Sequence, residues 1–150
     1  MTDSKLMEII DFAIEKEYEA AKFYKDLQVI AKYDSSKDML KSLESIELGH
    51  AAILKDFKNI GIEKFNPIKV QDLKISDYMV MPEQNGELLY QDVIVLAMKR
   101  EEAAKNLYLN LSEQTIDDKA KNMFIKLAGE EARHKSMLET MYDEEILKEN

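Results

Sequence analysis

Glu47-Leu48-Gly49-His50 and Glu131-Ala132-Arg133-His134 are the two stretches on which the reading of this chain turns. Each is a Glu-x-x-His in a helical context, and the chain has only these two histidines. A further glutamate stands 33 residues before each histidine, Glu17 before His50 and Glu101 before His134. A tyrosine follows each of those glutamates by seven positions, Tyr24 and Tyr108. Displaced by 84 residues, Ala13–Leu54 lies over Ala97–Leu138 without a gap, and twelve of the 42 pairs are identical. A repeat of that kind predicts two similar structural units.

Helical periodicity surrounds both motifs. Leu6, Ile9, Ile10, Ala13, Glu17, Ala20, Tyr24 and Leu27 recur at three- and four-residue steps, one face of a helix. Thr2, Asp3 and Ser4 offer N-caps for it, and Asp34-Ser35-Ser36 ends it near Tyr33. A second helix is expected over about Ser36 to Asn59, striped by Met39, Leu40, Leu43, Glu47, His50, Leu54 and Phe57. Gly61 then takes the C′ position. The third helix is expected over about Glu87 to Glu113, with Leu89, Val93, Leu96, Ala97, Glu101, Ala104, Tyr108 and Leu111 on its stripe. The fourth starts near Thr115–Asp118 and reaches as far as Leu147, carrying Met123, Leu127, Glu131, His134, Leu138 and Met141. The charged tail beyond the helix is expected to fray.

Residues 61–86 read as a crossover. Asn66, Pro67, Pro82, Asn85 and Gly86 interrupt any long helix there. A helix of about 24 residues is roughly 36 Å long, and a connection of this length can span more than twice that distance. Room remains in it for a short helical or strand-like piece from Val70 to Met79. The expected fold is all-α: one domain over 1–150, with a helical hairpin at 4–60, a crossover at 61–86 and a second hairpin at 87–148. Two hairpins joined by one long crossover is the ferritin-like four-helix bundle.

Composition narrows the function. With no cysteine, the chain itself can build no disulfide, thiolate zinc site, iron–sulfur cluster or rubredoxin-like iron site. A net charge of −9 argues against nucleic acid, which needs a basic surface to displace counterions. No apolar run approaches the length of a membrane span and no secretory signal opens the chain, so a cytoplasmic protein is expected.

The polar residues in the apolar stripes carry the chemistry. A buried, unpaired carboxylate is very costly, so Glu17, Glu47, His50, Glu101, Glu131 and His134 need a common explanation. Residues three apart on a helix are neighbours, so each Glu-x-x-His can aim both side chains at one spot. One Glu from each of two helices, with a Glu-x-x-His from each of the other two, is the ligand set of a di-iron or di-manganese bundle. Four carboxylates carry four negative charges, which two divalent cations neutralise. The hydroxyls of Tyr24 and Tyr108 are expected to hydrogen-bond to ligand carboxylates and orient them. Ala20 and Ala104 leave room beside the ions for a diatomic molecule. The nine methionines read as bundle filler. Glu44, Glu102 and Glu130 adjoin the motifs but point off the stripe, and are expected to be solvated or ion-paired.

The segments Ala13–Tyr24 and Leu43–His50, repeated at Ala97–Tyr108 and Leu127–His134, resemble the rubrerythrin branch of the ferritin-like family. The resemblance implies Glu17 and Glu101 as terminal carboxylates, Glu47 and Glu131 as metal-bridging ones, and His50 and His134 as imidazole ligands. It implies two iron ions, with manganese as the other candidate. Rubrerythrin proper carries one more Glu a turn after the third-helix ligand, for a redox-linked iron shift. Ala104 stands there in this chain, which predicts a six-ligand site. Leu48 stands where a bacterioferritin has its haem-binding Met. The implied activity is reduction of hydrogen peroxide or O₂ at a reduced di-iron centre, in an oxidative-stress role. With no rubredoxin-like domain, electrons come from a separate donor protein, and a homodimer is the expected assembly. The alternatives are a ferroxidase that oxidises Fe(II) for storage or delivery, a manganese enzyme dismutating peroxide, and a non-redox bundle stabilised by metal.

Overall fold

The computed structural model describes residues 2–60, 73–80 and 90–147. Four long helices make up most of it: α1 (Thr2–Ile30), α2 (Asp34–Ile60), α3 (Tyr90–Gln114) and α4 (Asp118–Tyr142). A 3₁₀ turn at Ile75–Tyr78 lies between α2 and α3, and a π-helical turn at Asp143–Leu147 follows α4. No β-strand occurs among the described residues, so the all-α bundle expected from the stripes is the fold found. None of these helices is long and apolar enough to cross a membrane.

The turns follow from local chemistry. Helix α1 stops at Ile30 rather than near Tyr33, and Ala31 N–H closes its last turn on the Leu27 carbonyl at 3.0 Å. Helix α2 starts at Asp34, two residues before the expected Ser36, because Lys37 N–H already bonds to the Tyr33 carbonyl at 3.0 Å. At the second hairpin the Asp117 carboxylate caps α4, accepting from Ala120 N–H at 2.8 Å. The expected C′ glycine, Gly61, lies outside the described residues, as do Asn66, Pro67, Pro82, Asn85, Gly86 and the Glu87 start of the third helix.

Each hairpin packs closely within itself. Cross-hairpin contacts set the directions. Tyr24 meets Glu101 while Tyr108 meets Glu17, so α1 and α3 run antiparallel. His50 meets Glu131 while His134 meets Glu47, so α2 and α4 are antiparallel too. Since α1 turns straight back into α2, α3 must run in the same sense as α2.

The core has two apolar clusters with a polar layer between them. Leu6, Ile9, Ile10, Leu54, Phe57, Leu111 and Phe124 fill one end. Tyr24, Leu27, Leu40, Leu43, Ile94, Leu138 and Met141 fill the other. Along every helix the six Glu and His positions fall between these groups. Helix α4 itself ends at Tyr142 and a π-helical turn carries the chain to Leu147, the expected limit of the fourth helix; the tail expected to fray beyond it lies outside the described residues. Glu145 is fully buried, accepting from Tyr90 Oη at 2.9 Å and from Lys32 N–H at 3.2 Å. It ties the end of α4 to the start of α3 and to the turn after α1.

Phe124 is fully buried and packs edge-on to Phe57, with ring centroids 5.2 Å apart. Phe124→Ala is expected to cost about 3–5 kcal/mol of stability in urea unfolding. Ile116→Ala, at an exposed turn position, is expected to stay within about 0.5 kcal/mol. Equal costs for the two would contradict this packing.

Candidate metal centre

Helix periodicity delivers one carboxylate from α1, one from α3, and a Glu-His pair from each of α2 and α4 to the middle layer. All six side chains are buried, with 1–2 % of each residue's surface exposed. They form two overlapping groups. Glu17, Glu47, His50 and Glu131 make one, and Glu47, Glu101, Glu131 and His134 the other. Within each group the donor atoms lie within 4.8 Å of one another. Glu47 and Glu131 belong to both, so they stand between two positions. Each position is closed by one further Glu and one His.

The inner atoms have no hydrogen-bond partners. Glu17 Oε2, Glu47 Oε1, Glu101 Oε2, Glu131 Oε1 and the Nδ1 atoms of both histidines are buried and unsatisfied. Some lie close together: His50 Nδ1 is 2.8 Å from Glu131 Oε1, and His134 Nδ1 is 3.0 Å from Glu47 Oε1. None of these approaches makes a hydrogen bond, although the atoms of each group lie within 4.8 Å of one another. The two imidazole rings are nearly parallel, at 8°, with centroids 6.1 Å apart. Six orphaned donors in a buried layer fit a pair of cations, and hard divalent ions with some affinity for imidazole suit this set.

The outer atoms are held by the protein. Tyr24 Oη donates to Glu101 Oε1, and Tyr108 Oη donates to Glu17 Oε1 at 2.5 Å. Each tyrosine thus crosses to the carboxylate of the other hairpin, leaving the Oε2 atom facing inward. Burial, then the charge of the carboxylate it bonds (Glu101 for Tyr24, Glu17 for Tyr108), raises both phenol pKa values well above normal, so both stay protonated donors. Glu102 is ion-paired, to Lys105 at 2.8 Å and Lys135 at 3.1 Å. Glu44 accepts from Gln28 at 2.9 Å. Glu130, expected to be solvated or ion-paired, takes a partner that the sequence did not indicate. It reaches inward and meets Nε2 of His50. Its position one residue before Glu131 puts it off the apolar stripe, so periodicity could not mark it.

A cavity of about 50 Å³ reaches the four carboxylates from between α1 and α3. Ala20 and Ala104 line it, as do Tyr24 and Tyr108. Lys16 and Arg100, which occupy matching places in the repeat, also line it, and Tyr78 of the 3₁₀ turn adds a further wall. That volume has room for roughly three water-sized molecules.

Without cations the layer must hold protons. Burial, then the charge of Glu17, pushes the Glu47 and Glu131 carboxyls well above the usual range. For His50, burial lowers the pKa, but Glu17, then Glu47 and Glu130, outweigh it and lift it to about 9. All three groups bind protons more tightly folded than unfolded. Stability in the metal-free protein is therefore greatest in mild acid. The His50 share is complete below about 6.5 and is lost as pH climbs to about 9. The melting temperature of metal-free protein is expected to fall between about pH 5.5 and 9. Loading with a divalent ion displaces those protons and should remove the fall. A metal-free melting temperature that rises across this range would contradict the assignment.

A family model described as Rubrerythrin matches residues 8–142, a span that takes in nearly all of both hairpins and all six inward-facing side chains. Comparison with curated proteins gives no match, and neither does comparison with solved structures. On the family match and the buried Glu/His layer together, this chain belongs to the rubrerythrin family.

Proposed function

We propose that this protein holds two iron ions in its central layer and reduces hydrogen peroxide or O₂ with electrons from a separate donor protein. The observation that carries the reading is the set of six buried, unpartnered donor atoms, one from each of six side chains. Glu47 and Glu131 would bridge the ions, Glu17 with His50 would close one position, and Glu101 with His134 the other. A ferrous pair bound there supplies the two electrons that convert one hydrogen peroxide and two protons into two waters.

The chain's own residues do the rest. Tyr24 and Tyr108 fix the rotamers of the two terminal carboxylates, so that one oxygen of each stays directed inward. Alanine at 20 and 104 keeps open the cavity that leads a small molecule to the carboxylates. The apolar clusters above and below keep bulk water from the layer, which strengthens electrostatic interactions inside it. In this reading a separate donor protein supplies the reducing equivalents. A homodimer is the assembly we propose.

Anaerobic protein loaded with two ferrous ions per chain is expected to be oxidised by one equivalent of peroxide, read by absorption. No spectral change on adding peroxide would overturn the peroxidase reading. Ala104→Val, which narrows the cavity, is expected to keep two irons per chain. It should slow the peroxide reaction by about tenfold, or 1.4 kcal/mol in the barrier. An unaltered rate would show that the cavity is not the route.

A further inference from the structure

The two hairpins match at every inward donor, and also at the tyrosines that hold the terminal carboxylates. Behind the histidines they do not match. Glu130 stands at the outer nitrogen of His50, with 23 % of its side chain exposed. Its counterpart 84 residues earlier is Ile46, which is 39 % exposed. Ile46 precedes Glu47 as Glu130 precedes Glu131, so the repeat relates Ile46 to His134 as it relates Glu130 to His50. An isoleucine offers no acceptor. The charged contacts of His134 to the described residues run through Nδ1, to Glu47 at 3.0 Å and Glu101 at 3.6 Å.

A carboxylate on the outer N–H of an imidazole fixes the tautomer and the ring, and makes the inner nitrogen a better metal donor. His50 has that support from Glu130, and Ile46 cannot give it to His134. We infer that the two ion positions are inequivalent: the position closed by Glu17 and His50 fills first and holds its ion, while the one closed by Glu101 and His134 fills second and exchanges a divalent cation readily. The inference rests on the two-ion reading. Glu130 is a positioning residue in it, acting through His50 without touching the ion. The consequence for function is an order of loading. Glu47 and Glu131 belong to both positions, so the centre would be complete only once the position of Glu101 and His134 is filled.

Cobalt(II) titration of the metal-free chain, read by visible absorption and calorimetry, tests this without any turnover. The wild type is expected to bind two ions in two resolved steps. Glu130→Ile copies the other half of the repeat, and should weaken the first step by roughly 10–100-fold until the two merge. Ile46→Glu changes an exposed position and should tighten the second step towards the first. A purely structural role for Glu130 would lower the melting temperature and leave the separation between steps unchanged, which would overturn the inference. Two equal steps in the wild type would overturn it as well, while leaving the two-ion reading standing. Failure to bind cobalt at all would remove both. Should Glu130→Ile not fold, Ile46→Glu alone decides, since unchanged steps in that variant contradict the inference.

Discussion

Burying four carboxylates and two imidazoles in one layer is the constraint to which the rest of the molecule answers. Each group gives up its hydration on folding, and like charges at this spacing repel. Two divalent cations, as proposed, would cancel the four negative charges. Protons are the other remedy: burial and neighbouring charge raise Glu47 and Glu131, and the surrounding carboxylates raise His50, so the metal-free layer draws them. The centre is thus a place where metal and protons compete for the same lone pairs.

The bundle meets this constraint by symmetry. Two copies of one hairpin lie so that α1 runs against α3 and α2 against α4, which carries each terminal carboxylate to a tyrosine of the other copy. The apolar clusters on either side pin the helices in register. Within that frame, a change of one side chain outside the donor set, Glu130 in place of an isoleucine, separates the two halves without altering the donors themselves.

Much of this was legible in the residues. The 3.6-residue spacing of apolar positions gave the helices, and polar residues in the same stripes marked the layer. Periodicity works here because long helices impose one side-chain direction per position. It fails where a long side chain bends back to a target. Glu130 lies off the stripe and still reaches His50. Glu145 sits in an acidic run off the apolar stripe, yet it is buried, and Tyr90 and Lys32 from distant parts of the chain supply its hydrogen bonds. Such contacts depend on tertiary neighbours that no local pattern specifies. The early start of α2 depends on a single backbone hydrogen bond, below the resolution of cap residues alone.

A crystal soaked in a divalent transition-metal salt, with anomalous scattering collected at the metal edge, addresses the central claim most directly. Two peaks are expected in each chain, both in contact with Glu47 and Glu131. One should lie beside Glu17 and His50, and the other beside Glu101 and His134. A layer that remains free of metal, with the six side chains turned onto water or onto one another, would contradict the account.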